Sequence, residues 1–521
     1  MEDFIVIGAG SAGAVMASRL SHDASVTLIE AGPTDRWWDP RIHMPAALSL
    51  VLSSRWYNWH YHSEPEPGLD GRRLYCPRGR VMGGSSSING MIFVRGHPDD
   101  FNRWASEYGL EDWRYEDCLP WFRKMENVQF AASDSRGTDG PLRVSRIERP
   151  SALVDAWLKA GEQAGFPLSH DFNGESQEGV GLFDRSIFRG RHQSSARAYL
   201  DKPPGRLSIR TNAMVTRILI EQGRATGIEY IVNGRRHRLH AGEVIVCAGA
   251  ISSPQLLMLS GIGPRRHLES LNIHTVHHLP GVGQNLQDHL EIYVQYRCLE
   301  PVSLYPATRW YRMPDIGLRW LLAGSGIGAS NHFEAGAFLR SGTSATWPDL
   351  QYHFLPVAMD YEGKSQFQGH GFQFHVGPMK PVSRGNINLR SADPRDHPVV
   401  RFNYNTASED REVMRRGIRT GMNIISQSAF DTFRGERIQP AGEDDATIDA
   451  FIRQHAESAY HPCGTCRMGH DDLAVVDSKG QVHGLSGLRI VDASIMPEIT
   501  NGNLNAPVIM MAEKISAGIA G

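Results

Sequence analysis

Cysteine is scarce, with six in 521 residues, too few and too scattered for a disulfide framework. That fits a reducing cytoplasm. No apolar run reaches the length of a membrane-spanning helix, although attachment to the periphery of a membrane stays open. A secretory leader is missing too: Met1-Glu2-Asp3 leads straight into the apolar run Phe4-Ile5-Val6-Ile7, with no basic n-region or cleavage site. Nor is there a basic excess. Lys+Arg number 54 and Asp+Glu 57, a formal net charge of -3, which speaks against a nucleic-acid partner. The 23 histidines show no metal-ligand spacing, so no metal site is expected. Internal repeats and low-complexity stretches are also lacking. What remains is 41% hydrophobic and 21% charged, an ordinary soluble composition with ample material for a large core, in a chain long enough for several domain-sized units.

The N-terminus reads strand, tight turn, helix, strand. Phe4 to Ile7 is the first strand, Gly8-Ala9-Gly10-Ser11-Ala12-Gly13 the turn, Ala12 to Leu20 the helix and Ser25 to Ile29 the second strand. Gly8 allows the turn, Gly10 lets a pyrophosphate approach the backbone, and Gly13 lets helix and strand pack closely. The helix N-terminus offers free N–H groups to phosphates. Glu30 closes the second strand 17 residues after Gly13, placed to accept from ribose hydroxyls. This fingerprint alone does not separate NAD from FAD.

Farther along, Leu207 to Ile220 and Ala225 to Tyr230 read as hairpin strands about Gly223. Glu243 to Ala248 is a buried strand, and Ser253 to Leu259 is helical. The pattern loosens from Pro301 to Gln351. Gln351 to Phe354, Gly371 to Val376, Asn386 to Leu389 and Pro398 to Phe402 read as strands of a second sheet. Asp410 to Gln427 and Asp444 to His455 read as helices, Leu488 to Val491 as a short strand, and Val508 to Ile519 as the closing helix. Cofactor segments at both ends imply a discontinuous nucleotide domain (1-155, 196-300 and 456-521) with a substrate domain (156-195 and 301-455) inserted in it.

Five ordered motifs point to a family. They are the N-terminal fingerprint, the run from Gly79 to Gly90 (GRVMGGSSSING), the run Gly249 to Pro254 continuing to Ser260-Gly261-Ile262-Gly263, the run Gly281 to His289 (GVGQNLQDH), and Val491-Asp492-Ala493-Ser494. With them the chain resembles the glucose–methanol–choline (GMC) flavoprotein oxidoreductases over nearly its full length. Asn58-Trp59, Ser63 to Pro67, Gly328 to Gly336, Gln351 to Pro356 and Phe402-Asn403-Tyr404 are similar to its choline dehydrogenase branch. The resemblance implies an α/β and α+β fold: a Rossmann-type FAD-binding domain and a substrate domain on an antiparallel sheet flanked by helices. It implies FAD contacts at Gly8, Gly10, Ser11, Ala12, Gly13, Glu30, Ala31, Arg80, Gly83, Gly84, Asn89, Gly90, Met91, Val215, Ala248, Gly249, Asp492, Ala493 and Pro507. Some members bond FAD through a histidine at the position of Ile88; isoleucine cannot, so non-covalent FAD is expected.

His461, in YHPCGTCRMG, matches the family's active-site histidine, an imidazole able to take a hydroxyl proton. Asn505, in GNLNAP, matches a second active-site position, and its amide can only donate to the substrate oxygen. Asn503 is read as a local structural residue. Cys463 and Cys466 have C-x-x-C spacing but fall inside the histidine motif and lack a thioredoxin-like context. The reaction expected is oxidation of a primary alcohol to an aldehyde, with oxygen or a quinone as acceptor. Trp59, Glu334 and Tyr460 match substrate-pocket positions of choline-oxidising relatives; an aromatic face and a carboxylate suit a quaternary ammonium. An uncharged aliphatic or aromatic alcohol is the alternative substrate. The rival functions are an NAD-linked dehydrogenase, a lyase or decarboxylase on the same fold, and a flavin-bearing binding protein. The sequence carries no reading of oligomeric state.

Overall fold

The computed structural model describes residues 2–130, 134–147, 150–203, 205–360 and 367–520. Its elements gather on two sheets. The first has seven strands in the order Leu207–Arg210, Val26–Ile29, Glu2–Ile7, Arg235–Val246, Arg224–Val232, Met214–Glu221, with Leu488–Ile490 also beside Arg235–Val246. Glu2–Ile7 runs parallel to both neighbours, Phe4 lying opposite Val26 on one side and Glu243 on the other. The strand Arg235–Val246 does two jobs. Its first half is an exposed hairpin arm, and its second half, ending in Val244, Ile245 and Val246, is buried in the parallel core. Leu207 to Ile220 is therefore not one hairpin strand. It breaks at Asn212, which adopts a left-handed φ of 53°, and Leu207–Arg210 joins the parallel sheet instead.

The helix Ser11–Leu20 follows the first strand at close range. A Cβ at Gly13 would lie 1.8 Å from the Gly8 carbonyl oxygen, so only glycine permits this approach. Against this helix lies the closing helix Asn505–Ala520, which starts three residues earlier than the sequence pattern suggests. Arg19 Nη2 meets Glu513 Oε1 at 2.7 Å, and Tyr199 Oη donates to the same oxygen at 2.8 Å. These bonds hold the C-terminal helix, and the segment leading into it, against the nucleotide-binding turn.

The second sheet orders Arg434–Gln439, Leu290–Cys298, Gly371–Pro378, Leu350–Leu355, Ala335–Leu339, Gly179–Leu182 and Leu168–Ser169, with Glu457–Ser458 also pairing with Leu290–Cys298. It is antiparallel apart from its last pair. The helices Ala152–Gln163 and Ser408–Ser426 cover it. Trp157 Nε1 donates to the Gly336 carbonyl at 3.1 Å, and Tyr352 Oη to that of Gly417 at 2.8 Å. Asn386–Asn388 and Val399–Arg401 form a separate two-stranded ribbon rather than joining this sheet.

Leu290–Cys298 and Ala335–Leu339 are strands that the pattern did not announce. Both are buried nearly throughout, so the alternation that marks a half-exposed strand is absent. Leu290–Cys298, which precedes residue 300, and Glu457–Ser458, which follows 456, both pair within the second sheet. One hydrophobic core runs through both sheets. Among the described residues no helix is long and apolar enough to cross a membrane.

Candidate active site

A single cavity of about 890 Å³ runs from the N-terminal fingerprint to the second sheet, within the range of a cofactor-plus-substrate site. Of the residues expected at the cofactor, Gly8, Gly10, Ser11, Ala12, Glu30, Ala31, Gly84, Asn89, Gly90, Met91, Val215, Ala248, Gly249, Asp492 and Ala493 line it. Four others do not. Gly13 serves helix packing, as described above. Gly83, with φ of 89°, makes the turn that donates its N–H to the Ala9 carbonyl at 2.7 Å. Arg80 lays its guanidinium over the Trp59 ring, 5.0 Å from its centroid. Pro507 is buried outside the cavity, and Val508, next on the helix, lines it instead.

These residues fit FAD. No side chain caps the helix Ser11–Leu20, and its first turn holds no acid, so its N–H groups are left for an anion such as pyrophosphate. Glu30 Oε2 accepts from Ala9 N at 2.9 Å and Oε1 from Gly32 N at 2.8 Å. This fixes a buried carboxylate at the end of the second strand, where burial raises its pKa to about 7 despite those bonds. The two glycine loops meet: a Cβ at Gly84 would stand 2.7 Å from Gly10 Cα. Asp492 accepts from Gly249 N, Ser253 Oγ and Ser494 N, and so ties the late strand to the Gly249 turn.

At the other end of the cavity stands His461. Burial lowers its pKa to about 3, with the charge of Glu291 acting the other way, so the ring is neutral near neutrality. Its backbone is pinned by Asp288, a buried carboxylate that accepts from His461 N at 2.6 Å, His289 N at 2.9 Å, Ser458 Oγ at 2.6 Å and Tyr404 Oη. Tyr460, just before it, holds a left-handed φ of 66°, a conformation that costs energy in a bulky residue. Its N–H donates to Ser458 Oγ at 2.9 Å.

A chain of hydrogen bonds decides which nitrogen of His461 carries the proton. A carbonyl only accepts, so His289 Nε2 donates to the Met379 oxygen, 3.2 Å away. His289 is kept neutral by burial and by His461, so its Nδ1 is an acceptor. His461 Nδ1, at 3.0 Å, therefore donates to it, leaving the lone pair of His461 on Nε2. Asn503 Nδ2 donates to that lone pair at 3.1 Å, and Asn503 Oδ1 accepts from Gln351 Nε2 at 3.2 Å. The amide orientations and the tautomer are thus mutually consistent.

This corrects the reading of the C-terminal asparagines. Asn503 is the residue against His461. Asn505 lines the same cavity but accepts from Ser11 Oγ at 2.8 Å, on the fingerprint side. The chain bends before the helix begins at Asn505, with Gly502 at a left-handed φ of 82°, and the two asparagines meet different partners.

A second correction concerns Glu334. It does not line the cavity; its Oε1 accepts from Ser330 Oγ at 2.6 Å and lies 3.7 Å from Arg185 Nη1. A buried carboxylate that does line the cavity beside His461 and Tyr460 is Glu291, on the strand Leu290–Cys298. His375 Nδ1 is 3.2 Å from Glu291 Oε1, and His353 Nδ1 is 3.5 Å from Oε2. Burial pushes the Glu291 carboxyl up, but the two histidines outweigh it and hold the pKa well below the ordinary value. Trp59 and Tyr460 line the cavity, and Trp59 also stacks on Tyr61 with ring centroids 6.0 Å apart. Phe333 lines it too, its ring 5.9 Å from that of His353. Cys463 and Cys466 are buried free thiols.

The GMC oxidoreductase description matches residues 2–291 with its N-terminal part and 381–512 with its C-terminal part. An oxygen-dependent choline dehydrogenase of Pseudomonas fluorescens is 52% identical over 530 aligned positions, covering 100% of this chain and 94% of that protein. Among solved structures, pyridoxine 4-oxidase from Mesorbium loti superposes with a TM-score of 0.91 at 31% identity, covering 99% of each chain. Formate oxidase of Aspergillus oryzae gives 0.94 at 26%, covering 99% of this chain and 98% of that one. With the glycine cradle at one end of the cavity and the His461 lone pair at the other, the chain belongs to the GMC oxidoreductase family, as a FAD-dependent oxidoreductase of alcohols.

Proposed function

We propose that the enzyme oxidises choline, or a close amino-alcohol, to the aldehyde, with His461 as base. The observation that carries the substrate class is the Glu291 carboxylate in the same cavity as the unprotonated Nε2 of His461. A quaternary ammonium has no proton to donate, so it is recognised by charge and by aromatic faces. Glu291 supplies the first and Phe333, Trp59 and Tyr460 the second. The name of the Pseudomonas relative points the same way.

In this reading His461 Nε2 takes the hydroxyl proton of the substrate. Asn503 Nδ2, already aimed at that spot, donates to the oxygen as its charge grows. Glu291 offsets the cationic end and favours the protonated form of His461 once the proton has moved. Bound FAD supplies the acceptor for the hydride that leaves the adjacent carbon. The cradle from Gly8 to Met91, with Val215, Ala248, Gly249, Asp492 and Ala493, holds it, and Ile88 in the lining offers no nucleophile for a covalent link. Electrons then pass to oxygen, as in the relative's printed name, or to a quinone. We place nucleotide binding on the first sheet, substrate binding on the second, and the enzyme in the cytoplasm.

The test is anaerobic mixing with choline and with 3,3-dimethylbutan-1-ol, its uncharged isostere. Choline should bleach the flavin at concentrations ~30-fold lower or more, the scale of one buried charge pair at 2–3 kcal/mol. Equal half-saturation by both alcohols would rule out the cationic substrate.

A further inference from the structure

Among the described residues, large apolar side chains stand exposed at eighteen positions, and eleven of these fall in two short segments, four in residues 37–56 and seven in 310–327. Both segments border the active-site cavity. Leu50, Met313 and Ile327 line it and are exposed at the same time, so they form its rim. The segments also touch one another: a Cβ at Gly328 would lie 3.0 Å from Trp320 Cβ and 3.2 Å from the Met44 sulfur. The two segments are packed together beside the mouth.

Its composition is specific. All four exposed tryptophans of the described chain are here, Trp310 being 81% exposed and Trp37 78%. On the helix Met313–Ala323, Leu318, Leu321 and Leu322 share one face at helical spacing, and all three are exposed. Scattered apolar residues need no explanation, but a contiguous exposed face does. The charges within the same segments are four arginines (41, 55, 312, 319) against Asp39 and Asp315, a local balance of +2 on a chain whose net is -3, and Arg36 and Arg309 flank them directly. Arg36 and Arg55 lie over the rings of Trp38 and Trp56, each 5.5 Å from the centroid. Tryptophan sits at headgroup level, leucine enters the acyl boundary and arginine meets lipid phosphate; an interfacial surface combines all three.

We propose that this rim is a membrane-docking surface, which seats the mouth of the cavity on an anionic phospholipid bilayer. It goes beyond the choice of alcohol and does not depend on it. Seated this way, the cavity opens where lipid-soluble molecules are concentrated.

The full-length flavoprotein is sedimented with vesicles of equal parts phosphatidylglycerol and phosphatidylcholine, and with phosphatidylcholine alone. The mixed vesicles should carry it down, with at least ~10-fold weaker partition when the anionic lipid is omitted. The double variant Leu321→Ser/Leu322→Ser should lose a further ~10-fold or more while keeping its flavin and its turnover of a soluble alcohol, since neither side chain lines the cavity. Wild-type protein left in the supernatant with both vesicles would overturn the proposal, as would a variant that sediments like the wild type. So would a wild-type dimer that the same substitutions split, because a second copy would then be what covers the rim.

Discussion

Glu291 carries the heaviest load at the scale of single residues. It is the buried carboxylate at the substrate end of the cavity, held by His375 and His353. Glu291→Gln keeps the shape and removes the charge. The half-saturation for choline should rise ~30-fold or more, by loss of a charge pair worth about 2 kcal/mol, while the uncharged isostere shifts by less than about threefold. Steady-state KM and kcat for both alcohols read this directly; equal losses for the two would assign Glu291 a role in pocket shape only. Glu334→Gln acts differently. It takes the charge partner from Arg185, whose pKa burial already lowers, so it should cost stability and leave the preference between the alcohols unchanged. The glycine fingerprint and His461 were legible from the sequence because each lies in one contiguous motif. Glu291 was not, since its partners stand 62 and 84 positions away and meet it only through strand register.

Element boundaries decide what the two C-terminal asparagines do. Asn503 precedes the closing helix and reaches His461; Asn505 opens that helix and faces Ser11. Asn503→Ala should lower kcat/KM ~100-fold, the scale of one donor to a developing oxyanion, with flavin content unchanged. Asn505→Ala should lower kcat/KM by less than about tenfold, since it removes one neutral hydrogen bond, and should speed flavin loss on dilution. Flavin fluorescence during dilution and the kinetics together separate the two; a larger catalytic loss for Asn505→Ala would restore the assignment made from the sequence. The pattern could not resolve this, because N-L-N before an apolar helix reads equally well as a cap at either position. The strands Leu290–Cys298 and Ala335–Leu339 escaped for a related reason: buried on both faces, they lose the period-two signal.

Across the whole molecule, burial of histidine sets the response to acid. Burial lowers the pKa of His43 to about 4, of His192 to about 3 and of His332 to about 4. In each case the folded value lies below the unfolded one, near 6.5, so the unfolded chain binds more protons in between. Stability from these groups is present above about pH 6.5 and is lost as pH falls toward 3. Glu30 and Asp288, raised to about 7 and about 6, act with the opposite sign, losing stability as pH rises, so one substitution isolates the effect better than a full profile. His192 Nδ1 donates to the Ile42 carbonyl at 3.3 Å, and its Nε2 is buried without a hydrogen-bond partner. The melting temperature of His192→Gln relative to wild type should therefore rise steadily from pH 7 to pH 4.5. A constant difference would mean that this ring is not the acid-sensitive group. The cofactor motifs at both ends of the sequence point to two sheets in outline, but the switch between them is not legible there, since Leu290–Cys298 follows a flavoprotein motif directly and pairs with the second sheet only through strand register.

In the proposed reaction His461 Nε2, unprotonated because its Nδ1 donates to His289, removes the hydroxyl proton of the alcohol. Anaerobic stopped-flow absorbance of flavin reduction isolates that half-reaction from the choice of acceptor. His461→Ala with its flavin retained should reduce it ~100- to 10,000-fold more slowly at saturating choline, the contribution of one general base, and the rate constant should climb with pH as hydroxide takes over. Reduction at the wild-type rate, with no new dependence on pH, would contradict the account.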